Sequence, residues 1–456
     1  MEGIQKITEI IRKLLSGKKY PQLREMLACM EGADLAEIFS ELDNDGLLVV
    51  FRLLPKELAA EAFVEMDSDR QETLITSFTD RELTGLLDEL YDDDTVDIIE
   101  EMPANVVQRI LKNASPETRR SVNELLKYPD NSAGSIMTTE YVYLRKHLTV
   151  KESFAFIRSV ALDKETVYTC YVTDNRRLLG VVSVKDLLLA NEDTIVEEIM
   201  DTNVISVHTE DDREEIAALF SHYDFLAMPV VDREDRLVGI ITVDDAIDVL
   251  QEEADEDMAI ISAVTPTDKP YLKTDTGELW KARIPWLLLL MLSATLTGII
   301  INHFENALSA LVVLTAFIPM LMGTGGNAGS QSSVTVIRGI SLGEIEFADA
   351  LKVIFKEFKV SILCGLTLTA ATFAKVLLID RLLLGNTDIT VLVAFVVSIT
   401  LGVTVILSKI IGCSMPLLAK KLNFDPAVMA SPFITTIVDA VSLLVYFGFA
   451  SWILHL

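Results

Sequence analysis

Gly323-Thr324-Gly325-Gly326-Asn327-Ala328-Gly329-Ser330-Gln331-Ser332-Ser333 closes a long apolar run that opens near residue 307. At membrane depth such a stretch is costly against lipid, because its amides and backbone would lack partners. It either lines a wet path or packs closely on another helix, as small-residue motifs do. Packing alone gives no use for the amides of Asn327 and Gln331. Working outward, the apolar segments number five, roughly 284–303, 307–337, 358–379, 389–417 and 426–454. Each has the roughly 20 residues that cross a hydrocarbon core. Lys281 and Arg283 precede the first, Arg338, Lys352, Lys356 and Lys359 follow the second, and Lys420 and Lys421 follow the fourth. Basic loops stay in the cytosol, so the N-terminus is expected inside and the C-terminus outside.

The last segment holds one acid, Asp439, in Ser431-Pro432-Phe433-Ile434-Thr435-Thr436-Ile437-Val438-Asp439. A carboxylate at the centre of a spanning helix costs about 2.5–3.5 kcal/mol on insertion scales and marks an ion path or a paired structural group. Lys375 and Lys409 are the candidate partners. Both lie towards segment ends, where a lysine can snorkel to the surface.

The chain has 456 residues and a net charge of −29. Residues 1–270 hold 27 Lys and Arg against 57 Asp and Glu, while the remainder is nearly neutral. So acidic a half repels phosphates and excludes a nucleic-acid partner; it suits cations, or is a solvated surface. Cys29, Cys170, Cys364 and Cys413 show no metal-ligand spacing, which fits a reducing cytosol. The first residues, MEGIQKITEI, form no apolar leader. No GxxxxGK[ST] loop is present, so an ATP-driven pump is not expected; no enzymatic activity is expected either.

Residues 1–130 read as an acidic array of amphipathic helices, in which Ala33–Asp43, Glu57–Asp67, Arg81–Tyr91 and Thr95–Met102 share a loose apolar pattern and a segment closes with Asp or Pro roughly every 22 to 25 residues. Residues 136–198 and 199–256 are a duplication. Ile136-Met137-Thr138-Thr139 opens one copy and Ile199-Met200-Asp201-Thr202 the other; LLGVVSVKDLL from Leu178 matches LVGIITVDDAI from Leu237. Strand, Gly, strand, then Ser or Thr capping a helix resembles a tandem CBS pair, a regulatory module that binds nucleotides or ions. A connecting helix and linker occupy 243–283, before a membrane domain over 284–456.

The glycine-rich segment with Ile337-Arg338, and Pro432-x-x-Thr435-x-x-x-Asp439, resembles the MgtE family of magnesium channels and transporters, and the resemblance covers the whole chain. It implies a multidomain membrane protein: an all-α superhelical N-terminal domain, an α/β CBS pair, a connecting (plug) helix and five transmembrane helices. It further implies a homodimer in the cell membrane, with a pore on its two-fold axis lined by spans two and five. Asp439 would be the main ion site, with Asn327, Gly325, Gly326, Thr435 and Ser431 around it. Ser431 stands where the family pattern has Asn. The family's regulatory Mg²⁺ sites fall on Glu61, Asp93, Asp97, Asp212, Glu214, Asp224, Asp245, Asp248, Glu253, Glu256 and Asp257, and on the carbonyl of Gly134. An ATP site in the CBS cleft falls on Tyr168, Lys185, Asp186 and Phe225, with Lys185 in place of the family's Arg.

Along the connecting helix, Ala246, Val249, Leu250, Ala254 and Met258 make an apolar stripe beside an acidic one of Asp245, Asp248, Glu252 and Asp255. Like charges at this spacing repel. A cation bridging them to another acidic face, in the repeat domain or second CBS copy, would report to the pore. The function expected is a Mg²⁺-selective uptake channel, driven by the membrane potential and closed by Mg²⁺ on its cytosolic domains. A coupled Mg²⁺/Co²⁺ exchanger and a non-conducting Mg²⁺ sensor are the alternatives.

Overall fold

The computed structural model describes residues 2–267, 271–272, 274–305, 309, 311–422, 424–429 and 431–455. They fall into two compact units, 1–250 and 251–456. The first opens with short helices: α1 (Glu2–Ser16), α2 (Tyr20–Leu27), α3 (Gly32–Ser40), α4 (Asn44–Phe51), α5 (Lys56–Val64), α6 (Ser68–Ser77), α7 (Asp80–Leu87), α8 (Asp92–Glu101), α9 (Ala104–Asn113) and α10 (Pro116–Leu125). A two-helix unit repeats every 24 residues: α3, α5, α7 and α9 start at 32, 56, 80 and 104, and α4, α6, α8 and α10 at 44, 68, 92 and 116. The core keeps the same period. Ile38, Ala62, Leu86 and Ile110 are buried at one position, and Val50, Leu74, Ile98 and Val122 at its counterpart. Pro55, Thr79 and Pro103 likewise share a cap position, and Thr79 closes a capping box with Glu82. One unit cannot bury its apolar face alone, so the units stack. The sequence pattern picks out α3, α5, α7 and α8. It passes over α4 and α6.

The duplicated pair follows: β1 (Tyr141–Arg145), α11 (Val150–Val160), β2 (Thr166–Asp174), β3 (Arg177–Ser183), α12 (Val184–Leu189), then α13 (Val196–Ile199), β4 (Val207–His208), α14 (Arg213–Tyr223), β5 (Ala227–Val231) and β6 (Leu237–Thr242). Each copy has a three-stranded sheet, its first pair parallel and its second antiparallel. The copies exchange their opening segments: Thr138 bridges Ile240 of β6, and Asp201 bridges Val181 of β3. The repeated glycine makes the exchange possible. A Cβ at Gly180 would lie 2.7 Å from the Asp201 carbonyl oxygen, and one at Gly239 2.8 Å from that of Thr138. Only a residue without a side chain admits the neighbouring backbone there.

Helix α15 (Val243–Ile261) contains the division between the units. Its apolar stripe does not persist. Ala246 and Val249 are buried, whereas Leu250 and Met258 are exposed. Beyond residue 250 the half-buried face is Glu253, Asp257, Ile260 and Ile261. The last two pack on Ile337 and Ala427 of the second unit. The helix thus changes its buried face partway along, which a single period cannot express.

The second unit contains α16 (Thr276–His303), α17 (Ile318–Ser341), α18 (Ala350–Lys375), α19 (Val391–Lys421) and α20 (Ser431–Leu454). Five stretches, Thr276–His303, Val312–Ser341, Phe347–Leu383, Val391–Lys421 and Pro426–Leu454, are long and apolar enough to cross a membrane. The core helix is α19, with 61 % of its apolar window buried against 6 % for α16.

Candidate functional site

Helix geometry sorts the glycine-rich segment of α17 onto two faces. Gly325 and Gly329 point inward. A Cβ at Gly325 would lie 2.9 Å from Ser442 Oγ and from Thr404 Cγ2, and one at Gly329 2.9 Å from Ile434 Cγ2. Gly412 of α19 sits against the Gly329 backbone. These glycines serve close packing, so Gly325 takes no part in the open face. Gly326, also buried, meets Thr435 of α20, whose Cγ2 is 3.2 Å from where its Cβ would be. The opposite face, with Gly323, Asn327, Gln331 and Arg338, is exposed. Residues at these intervals form one stripe. Amides at membrane depth demand water or another protein surface.

Asp439 lies one turn beyond Thr435 and next to Val438, which touches the Gly325 and Gly329 positions. It is half-buried, and among the described residues no hydrogen bond or ion pair reaches its carboxylate. Neither candidate base serves it. Lys375 Nζ is 2.8 Å from Asp380 Oδ2, and Lys409 Nζ is 3.8 Å from Glu357 Oε2. The expectation that Lys409 snorkels fails, because it is only 6 % exposed. Lys409 Nζ donates to Ser332 Oγ (3.2 Å) and Ser332 Oγ to Glu357 Oε2 (2.6 Å), tying α17, α18 and α19 together. Ser431 opens α20, and its side chain lies outside the described residues.

In the first unit, carboxylates from three parts of the chain converge. Asp92, Asp93 and Asp94 form the first turn of α8, where the helix dipole favours negative charge. The Asp92 N–H donates to Glu140 Oε2 (3.0 Å), and Thr139 Oγ1 donates to Asp92 Oδ2 (2.7 Å). Asp93 is 8 % exposed and its Oδ1 has no partner; nor has Glu165 Oε2. Burial first, then repulsion from Asp245 and Asp94, pushes the Asp93 carboxyl well above the usual range. The same burial and neighbouring acids push Asp94 up to about 6, Glu140 and Asp245 to about 7, and Glu165 to about 8. Lys164 is the base that pulls Asp92 and Glu140 back. A donor set of carboxylate oxygens with an orphaned Oδ1 fits a hard divalent cation. These acids lie near one another, but among the described residues no three of them are close enough to hold one metal ion together.

Of the other expected regulatory residues, Gly134 and Asp212 come close. Gly134 N–H donates to the Thr209 carbonyl, Ala133 N–H to that of Asp211, and Ser132 bridges Asp212. Asp212 also caps α14, accepting from the Glu214 N–H at 2.9 Å, and Asp224 ends that helix in the left-handed region (φ 54°). Glu61, Asp97, Asp248 and Glu256 lie on exposed helix surface. In the second unit Ser341 Oγ donates to Asp257 Oδ2 (3.1 Å). Burial raises the Asp257 carboxyl, with Asp425 and Glu253 adding to it. Sequence reasoning missed Glu140, Glu165 and Asp425. The one available signal was Glu140's position directly after the Ile-Met-Thr-Thr opening.

In the expected nucleotide cleft, Tyr168 is 69 % exposed on β2. The pairing of Thr169 with Ser183 brings it beside the start of α12, which carries Lys185 and Asp186. Asp186 closes a capping box with Ser183, and Phe225 stacks on Tyr223 at 5.3 Å.

Comparison with known proteins agrees with this layout. Residues 318–449 match the MgtE model, described as a divalent cation transporter; residues 30–131 match the MgtE intracellular N domain, and 133–193 and 196–252 match CBS domains. The chain is 37 % identical to the magnesium transporter MgtE of Thermus thermophilus, over 99 % of each protein. It is 34 % identical to that of Bacillus subtilis, over 97 % of this chain and 96 % of that one. The cytosolic domain of the Mg²⁺ channel MgtE, solved in complex with ATP, superposes with a TM-score of 0.51 at 39 % identity, covering 53 % of this chain and 99 % of that one. The soluble part of a magnesium transporter gives 0.52 at 31 % identity, covering 55 % and 99 %. The chain belongs to the MgtE family of divalent cation transporters.

Proposed function

We propose that this chain forms a homodimeric Mg²⁺-selective channel for magnesium uptake across the cell membrane, with its N-terminal half in the cytosol, closed by Mg²⁺ on its acidic domains. The observation that carries the reading is Asp439, an unpaired carboxylate beside a glycine-packed crossing of two spanning helices. Pairing two copies along the exposed stripe of α17 gives Asn327 and Gln331 a shared wet wall and sets two Asp439 carboxylates around one axis. Mg²⁺ dehydrates reluctantly and keeps waters in octahedral geometry. Amides, carbonyls and a carboxylate can hold its water shell without stripping it. Inward movement of a divalent ion gains about 4.6 kcal/mol per 100 mV, twice the single-charge figure, so no further energy source is required. That two full-length relatives are named magnesium transporters supports Mg²⁺ as the cargo.

Closure rests on the two acidic regions. Mg²⁺ between Asp93 and Asp245, and at Glu253, Asp257 and Asp425, would replace carboxylate repulsion by bridging and hold α15 against the ends of the spanning helices. Binding only to the compact state stabilises it by about 2.7 kcal/mol per site at a hundredfold excess of ion. ATP in the cleft of Tyr168, Lys185, Asp186 and Phe225 is a second ligand, supported by the ATP complex of the related cytosolic domain.

The deciding measurement is electrical. Protein in planar bilayers should show unitary Mg²⁺ currents that follow voltage and stop when Mg²⁺ is raised on the side of the soluble domains. Flux without unitary currents would establish an exchanger, and absence of flux a sensor.

A further inference from the structure

Beside the end of β2 lies a cavity that none of the ion-handling residues enters. Its volume is about 500 Å³, and its lining includes Tyr141, Tyr143, Arg145, Lys146, His147 and Arg176. Small-molecule sites span about 300–1,000 Å³. In a region where 57 acids face 27 bases, this wall reverses the local sign. Asp174 and Glu197 approach Lys146 at 3.6 and 3.8 Å. Among the described residues no ion pair or hydrogen bond engages the side chains of Arg145 and Arg176.

The backbone supplies an independent observation. Asn175 and Arg176 join β2 to β3, both in the left-handed region, with φ of 51° and 68°. A two-residue turn of this kind is easiest with glycine second, and arginine there is strained. The Arg176 carbonyl accepts from the Leu237 N–H (2.8 Å), which pins the turn, and Arg176 lines the cavity. Fold stability gains nothing from arginine at this position.

We propose that the cavity binds a nucleotide. Arg145 and Arg176 hold its phosphates, which the planar guanidinium matches in fork geometry. The half-exposed Tyr143 ring, braced by Phe156 at 6.1 Å, takes the base. The site is separate from the cleft of Tyr168, Lys185 and Asp186. Thr173 and Asp174 line the cavity, about 17–20 Å along β2 from Tyr168 at the rise of a strand. It does not depend on the channel reading.

The test is equilibrium dialysis of labelled ADP against the full-length protein in detergent, with chelator present so that no cation bridges phosphates to acids. Asp186→Ala removes the other cleft and should still bind one ADP per chain. Adding Arg176→Gly should weaken that binding by at least about tenfold, while the melting temperature stays equal or rises, since glycine is at ease at this φ. Arg145→Ala should weaken it likewise. Inorganic pyrophosphate should compete less well than ADP, because the base contributes. Loss of all ADP binding in Asp186→Ala, or unchanged affinity in Arg176→Gly, would overturn the assignment. Equal competition by pyrophosphate would overturn the nucleotide and leave a simple anion site. Mg²⁺ currents should be unaffected by Arg176→Gly in nucleotide-free buffer, which separates failure here from failure of the channel reading.

Discussion

Asp439 and Asp93 are both carboxylates that no Lys or Arg side chain reaches among the described residues, yet their surroundings are opposites. Asp439 is the single acid of its spanning helix, half-buried among small and apolar residues. Asp93 is almost fully buried amid Asp92, Asp94, Glu140, Glu165, Asp244 and Asp245. The lone acid costs its insertion energy and repels nothing, so a passing cation can be held weakly and released. The crowded acids repel one another as well, so a cation there gains by relieving strain and stays. One arrangement suits a conducted ion and the other a resident one. The roles proposed for the two side chains differ because the number of neighbouring acids differs.

The sharpest way to break the comparison is at Asp439. Asp439→Ala should take Mg²⁺ flux into liposomes to background while expression and assembly persist, and Asp439→Asn should do nearly as much by removing charge alone. Flux at the wild-type rate would show that the lone acid is structural after all. A comparably large effect, on stability instead of flux, is expected at Lys409. Lys409→Met leaves the half-buried Glu357 without its countercharge, and breaking a fully buried pair in this way costs about 3–5 kcal/mol. The melting temperature in detergent should fall steeply, and Lys409→Met with Glu357→Gln should recover most of the loss. Equal stability of the single and double variants would mean that the Ser332 network does not hold α17.

The resident site makes smaller, graded predictions. Neutralising Asp245, Asp248, Glu253 and Glu256 together should leave a channel that conducts at millimolar Mg²⁺, as lost bridging outweighs lost repulsion near the membrane. Closure at the wild-type Mg²⁺ concentration would return these acids to a solvated surface. The smallest effect is on pH. Asp94, Glu140, Asp245 and Glu165 hold protons up to about 6, 7, 7 and 8 in the compact form, against an ordinary value near 4. A raised carboxyl leaves the compact form unpenalised below the ordinary value, and destabilises it increasingly as pH rises towards the raised one. In chelator, protection factors at α8 and at the start of α15, taken against the intrinsic exchange rate at each pH, should therefore be higher at pH 6 than at pH 8. Added Mg²⁺ should protect more at pH 8, where protons no longer compete. Equal protection at the two values in chelator would remove repulsion as the driving term.

The dimer face proposed for α17 gives a test between these extremes. A cysteine in place of Asn327, in a background lacking the exposed Cys29, should cross-link two copies on oxidation, whereas one in place of buried Ala328 should not. Failure to cross-link would move the shared wall off the open stripe of α17.

Sequence alone determined what short-range pattern can carry. Hydrophobic length fixed the five spans, the Ile-Met duplication with its Gly-strand-cap units fixed the CBS pair, and the isolation of Asp439 in an apolar helix marked it out. These follow from periodicity and transfer cost, which depend only on neighbours along the chain. The acidic composition of residues 1–270 was equally plain, but composition cannot say which carboxylates meet. Tertiary structure decided that Asp93 faces Asp245 at 152 positions' remove, and that Glu140 caps α8 from another domain. It also decided that Lys409 belongs to Glu357 and not to Asp439. Helix faces made the same division inside one motif, assigning Gly325 and Gly329 to packing and Asn327 to the open side. Each of these depends on which residues the fold makes neighbours in space, and Coulomb energy, desolvation and close packing act on those distances whatever the separation along the chain.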